Sequence, residues 1–142
     1  LRHLLLLVQP VDSNGAPLSQ INGPVIPDWG GVGDPQAGYY AGLPGTGYAK
    51  ILKELWTNIT PTGAYWNQTT IISDNRLPAL GSDTTRYTFN TPPEDEVTVD
   101  VKLVYRRAFI KLADQKRWEL NDLLMEQARI QVPSPCSEQT CD

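Results

Sequence analysis

The sequence is poor in the residues on which most enzyme chemistry depends. It has one histidine, His3, and two cysteines, Cys136 and Cys141. One histidine rules out most acid–base and nucleophilic dyads, and no Ser or Cys sits in a nucleophile-elbow motif. A phosphate loop ending in Gly-Lys-Ser or Gly-Lys-Thr is absent, and the glycines of "GVGDPQAG" lack the strand–helix frame of a dinucleotide site. The net charge is -4 and neither half of the chain is basic. That argues against nucleic acid as a partner, because phosphate binding rests on clustered Lys and Arg. No stretch approaches the ~20 apolar residues of a membrane span. The chain is expected to be neither an enzyme nor membrane-spanning.

What is present suits a turn-rich β domain. The 142 residues include 11 Gly and 12 Pro, with 40% hydrophobic and 20% charged residues. A chain of this length buries roughly 68–70% of its unfolded surface and folds without staples. Leu1–Val11 is an apolar run closed by the "DSNG" turn and reads as a strand covered on both faces. From Gln20 to Thr46 neither period holds, and a long irregular segment of this kind is often functional. Thr84–Asn90 reads as a further strand. In Val97–Arg107, Val97, Val99, Val101, Leu103 and Tyr105 share one face, opposite Thr98, Asp100, Lys102 and Arg106. Ala128–Val132 reads as the last strand.

Two helices are expected beside these strands. Tyr48, Ile51, Leu52 and Leu55 fall at i, i+3, i+4 and i+7, which predicts a helix over Tyr48–Trp56. Asn121 is placed to cap a short one near Asp122–Ala128, with Leu120 and Met125 as its hydrophobic staple. Phe109, Leu112 and Ala113 suggest a further helical turn. The expected fold is an antiparallel, Ig-like β-sandwich of about seven strands with one or two short helices and long irregular loops. Residues 1–132 form the domain and residues 133–142 a tail containing Pro and Cys.

Candidate sites are few. Cys136 and Cys141 can close a small loop; a disulfide is preferred over two free thiols and points to an oxidising compartment. Asp28, Asp34, Asp74, Asn75 and Asp83 are hard oxygen ligands in loops, so calcium is conceivable, with Asp74 and Asp83 as candidates. The competing reading makes Asp74 and Asn75 side-chain caps of a turn and pairs Arg76 or Arg86 with a carboxylate, and it is preferred. His3 is a possible haem or metal ligand, although a lone His beside Leu4–Leu7 is more often packed. Asn58-Ile59-Thr60 and Asn67-Gln68-Thr69 match a glycosylation sequon, which is short enough to arise by chance.

"DNRLPALGSDTTRYTF" followed by "VTVDVKLVYRRAF" resembles the non-haem β-sandwich region at the C-terminal end of certain multihaem c-type cytochromes. The resemblance extends to "GLPGTGYAKIL" and "KRWELNDLLMEQARIQV". It departs from those cytochromes in having no Cys-x-x-Cys-His, so this chain carries no covalent haem itself. The resemblance implies a scaffold in an extracytoplasmic, periplasmic or cell-surface electron-transfer protein, packed against a haem-bearing segment or subunit that holds haem c. The contact would be residues 23–47, with Trp29, Tyr39 and Tyr40 against porphyrin or partner and His3 as a possible axial ligand. The opening in mid-strand fits a C-terminal portion of a longer protein. It also implies that Arg76 and Pro78 fix a corner, tied down by Asp83 and Arg86. Two other classes remain: a carbohydrate-binding or adhesive sandwich using Trp29, Tyr39, Tyr40, Trp56, Tyr65 and Trp66, and a homo-oligomeric subunit of a surface filament.

Overall fold

The computed structural model describes residues 2–93, 96–119 and 122–133. Among these residues eight strands and one α-helix follow in order, with two 3-10 turns between β2 and β3: β1 (His3–Val11), β2 (Gln20–Asn22), β3 (Gly45–Tyr48), β4 (Lys50–Glu54), β5 (Thr69–Asp74), β6 (Thr88–Phe89), β7 (Val97–Arg106), α1 (Ile110–Lys116) and β8 (Leu123–Val132). One four-stranded sheet has the order β3-β1-β7-β8, and β2–β6 and β4–β5 form two-stranded ribbons. Every pairing is antiparallel. The fold is therefore mainly β with one short helix, and none of its sheets closes on itself.

β1 is the central element because its apolar run can be covered from both sides. It pairs with β3 over Leu4–Leu7 and with β7 along its whole length. Pro10 is tolerated because it lies beyond the end of β3, where no ladder hydrogen bond is required on that side. Side chains alternate, so Leu5, Leu7 and Val104 lie on one face and Leu4, Leu6, Val8, Val101 and Leu103 on the other. The first face packs Leu5, Leu7 and Val104 against Ile26, with Trp29 and Tyr40 partly buried beside them. Gly45 and Gly47 make this possible: a Cβ at Gly45 would strike Leu6 and Ile26, and one at Gly47 would strike the Trp29 indole. On the other face, Leu18 and the β6 residue Phe89 stand across a pocket of about 180 Å³ from Pro10, Val97 and Val99.

Three expectations are corrected. Tyr48–Trp56 is not a helix but the end of β3 and all of β4. A register shift between Ile51 and Leu52 disturbs the β4–β5 ladder, and the buried positions Ile51 and Glu54 fall three apart, as they would on a helix. Asp122–Ala128 is not a helix either; β8 runs from Leu123 and pairs with β7 from Tyr105 back to Val97. Its Leu, Met, Glu, Gln and Ala favour helix, but propensity is a weak prior against ten residues of ladder. The expected cap and staple residues Asn121 and Leu120 lie outside the described residues. Third, the face that Arg106 shares with Lys102 is not wet: it also carries Val104 beside Leu5 and Leu7, and Arg106 is only 1% exposed. Thr84–Asn90 contributes a strand only at Thr88–Phe89, whereas the turn expected around Phe109–Ala113 is present as α1.

Candidate functional site

Two constellations organise the described surface. The first is built around Arg106. Its Nε and Nη2 donate to the two carboxylate oxygens of Asp122 at 2.8 and 2.6 Å, while Nη1 and Nη2 donate to the carbonyls of Gly30 and Gly38 at 2.9 and 2.6 Å. The guanidinium also lies 5.2 Å from the centre of the Tyr40 ring. The planar fork suits this combination of bidentate and carbonyl contacts. One side chain thus ties the end of β7 to the long irregular segment, whose own 3-10 turn is capped by Asp34 accepting from the Gln36 amide. Burial is the main reason the Tyr40 phenol is pushed up, with the Asp122 charge adding and Arg106 opposing. Tyr39 donates to Asp114 at 3.1 Å, and that bond is the main reason its pKa is raised.

His3 lies beneath this segment and is 2% exposed. Its ring stacks on Phe109 at 4.9 Å and meets Trp29 edge-on at 5.1 Å; Trp29 and Phe109 are themselves 5.8 Å apart. His3 and Trp29 therefore belong to a mixed aromatic cluster at the end of β1, and Tyr39 and Tyr40 belong to the Arg106 region. Reaching His3 from outside requires displacing part of that cluster.

The calcium candidates are separate. Asp74 is held by Arg76 through contacts of 2.7 and 2.6 Å, which are the main cause of its lowered pKa. Asp83 accepts from the Tyr48 hydroxyl at 3.0 Å and from the Thr84 amide at 2.9 Å. Among the described residues no group of three or more His, Cys, Asp or Glu is gathered to hold a metal. Asn75, read from the sequence as a turn cap, bonds to the backbone of the β3–β4 connection instead: it accepts from the Ala49 amide at 2.9 Å and donates to the Gly47 carbonyl at 2.7 Å. Cys136 and Cys141 lie outside the described residues.

The second constellation is a groove of about 850 Å³ between the loop that follows β4 and helix α1. Its loop is anchored by Glu54, whose buried carboxylate accepts from Thr57 at 2.5 Å, Thr62 at 2.6 Å and Asn67 at 3.1 Å. These bonds, led by that from Thr57, hold the carboxyl below its ordinary range against the opposing effect of burial. The groove carries Tyr65, Trp66 and Trp118, which are 92%, 70% and 53% exposed. From α1 come Lys111, Leu112, Gln115 and Lys116, whose i, i+1, i+4 and i+5 spacing places them along one face. Tyr65 and Trp66 were legible as possible stacking residues; the helical residues were not, because only the fold brings α1 to that loop.

Comparison with protein-family models, with curated proteins and with solved structures finds no match. Among the described residues no helix is long and apolar enough to cross a membrane.

Proposed function

We propose that this chain is a non-catalytic scaffold domain of an extracytoplasmic multihaem c-type cytochrome, packed against a haem-bearing segment or subunit along β8 rather than through residues 23–47, whose Trp29 and Tyr40 pack on the core of this domain. The cytochrome assignment rests on the resemblance described above. The observation that carries the scaffold role is β8 itself. All ten of its residues are exposed, including Leu123, Leu124, Met125, Ile130 and Val132. Among the described residues it pairs with β7 alone and ends the sheet.

Unprotected strands of this length are commonly blunted by Pro, Lys or inward charges, because their free amides and carbonyls template further pairing. β8 contains neither Pro nor Lys. Its register is fixed, since Asp100 stands opposite Arg129 and the pair is joined by two hydrogen bonds of 2.9 Å. An ordered open edge that exposes Leu123, Leu124, Met125, Ile130 and Val132 beside only two charges, Glu126 and Arg129, is the form of a surface awaiting a strand or an apolar face from a partner. In this reading the Ig-like sandwich is the four-stranded sheet with the β2–β6 ribbon beginning a second layer over Pro10, Val97 and Val99. The haem c belongs to the partner, and the setting is periplasmic or cell-surface. A filament formed by repeated edge pairing is the second reading, favoured by the same open strand.

Visible absorption of material purified from its native source tests the cytochrome assignment. The c-type bands are expected there and absent from the 142-residue chain expressed alone. Native material without haem absorption contradicts the assignment. A His3→Ala variant with an unchanged haem spectrum would remove His3 as an axial ligand and leave the scaffold role intact.

A further inference from the structure

We propose that the groove between the Glu54-anchored loop and α1 is a binding site for an acidic saccharide, an oligomer carrying uronate carboxylates. The site shares no residue with β7 or β8, so it stands independently of the scaffold contact.

Three observations carry the inference. First, the aromatic surface is offered in a formed loop. Tyr65 and Trp66 are among the more exposed large side chains described, yet they are held edge to face at 5.0 Å and 81°. The loop bearing them closes on Glu54 through Thr57, Thr62 and Asn67. Holding apolar rings in water costs hydrophobic free energy that a bound ligand recovers. A loop already ordered also loses less entropy on binding. Flat aromatic rings match the C–H faces of pyranose sugars.

Second, the polar groups at the rim are donors. Lys111, Gln115 and Lys116 project from the one helical face that lines the groove. The carboxylate of the groove, Glu54, is 5% exposed and already accepts three hydrogen bonds. A protein of net charge -4 therefore presents at this groove two lysines and a saturated acid. That combination favours an anionic ligand. Third, the volume of about 850 Å³ lies within the ordinary range of ligand sites and has room for a short chain of sugar rings.

Other occupants fit less well. A wholly apolar segment would strip water from Lys111, Lys116 and Gln115 without replacing their hydrogen bonds. A nucleic acid strand would require more cations than two. A neutral saccharide would use the rings and leave both ammonium groups without a counter-charge.

The test is titration of the full 142-residue chain with tetragalacturonate, followed by calorimetry and tryptophan fluorescence, with cellotetraose as the neutral comparison. Saturable binding of tetragalacturonate is expected, weakening by at least about tenfold between low and high salt. Trp66→Ala should abolish it. Lys111→Gln with Lys116→Gln should weaken it by about tenfold or more and remove most of the salt dependence. These side chains are exposed, so each variant should keep the parent circular dichroism and melting temperature. No binding of tetragalacturonate overturns the proposal. So does equal affinity for cellotetraose, or undiminished binding by the folded Trp66→Ala or double lysine variant.

Discussion

Arg106 and Asp122 meet through two parallel hydrogen bonds of 2.8 and 2.6 Å, with the arginine side chain 1% and the aspartate side chain 18% exposed. The pair joins the end of β7 to the start of β8. Two of the three remaining guanidinium hydrogens bind carbonyls of the long segment between β2 and β3. A segment without regular structure is thus fixed by a cation reaching out from the sheet.

Replacing Arg106 with Ala should therefore destabilise the domain by about 3–5 kcal/mol, because it leaves a carboxylate and two carbonyls without their donor. Arg106→Lys should recover only part of this, since one ammonium cannot reproduce the planar fork. Urea unfolding curves measure both. A loss under about 1 kcal/mol for the alanine variant contradicts the role assigned to Arg106.

Gly47→Ala places a methyl group against the Trp29 indole. Overpacking of this kind costs about 1–3 kcal/mol. A drop in melting temperature should be accompanied by a change in the near-ultraviolet signal of Trp29, as the ring leaves its place beside His3 and Phe109. An unchanged melting temperature would show that β3 does not need this glycine.

Tyr48 gives the alkaline limit. Its phenol is pushed up to about 12, first by burial and then by its hydrogen bond to Asp83. The folded state holds that proton more tightly than the unfolded chain, whose ordinary value is 10.0. The stabilisation is complete below the unfolded value and is lost as the pH rises through the window from 10.0 to about 12. Tyr48→Phe should flatten the stability profile in that window, which unfolding free energies measured across it will show.

Glu54 gives the acid limit with the opposite sign. Hydrogen bonds from Thr57, Thr62 and Asn67 lower its pKa from the ordinary 4.5. Its contribution is present above that value and is lost as the pH falls through the lowered folded value. Glu54→Gln should remove this part of the acid dependence and loosen the loop carrying Tyr65 and Trp66. Faster amide exchange in residues 57–67 would register the loosening.

Much of the strand content was legible. The β1 run, the alternation of β7 and the turn-rich composition all point to antiparallel sheets, and the short turn at α1 was visible in Phe109, Leu112 and Ala113. The two mistaken helices have a common physical origin. In β4 a register shift leaves Ile51 and Glu54 buried three residues apart, and in β8 helix-forming residues are held extended by pairing with β7. Neither the shift nor the partner strand is written locally. Arg106 was hidden for the same reason: its alternation assigns it to a wet face, and only the folded chain brings Asp122, from the start of β8, and Gly30 and Gly38, from the long segment, to its guanidinium. The groove was half legible, as aromatics in a loop, but the lysines that give it a charge preference come from α1.

Hydrogen exchange at the β8 amides tests the central claim most directly. The 142-residue chain alone and the protein purified from its native source should be compared residue by residue over Leu123–Val132. If β8 is the contact of a scaffold domain, the amides on its open side exchange rapidly in the chain alone and become strongly protected in the native protein. Equally rapid exchange in both would contradict the account.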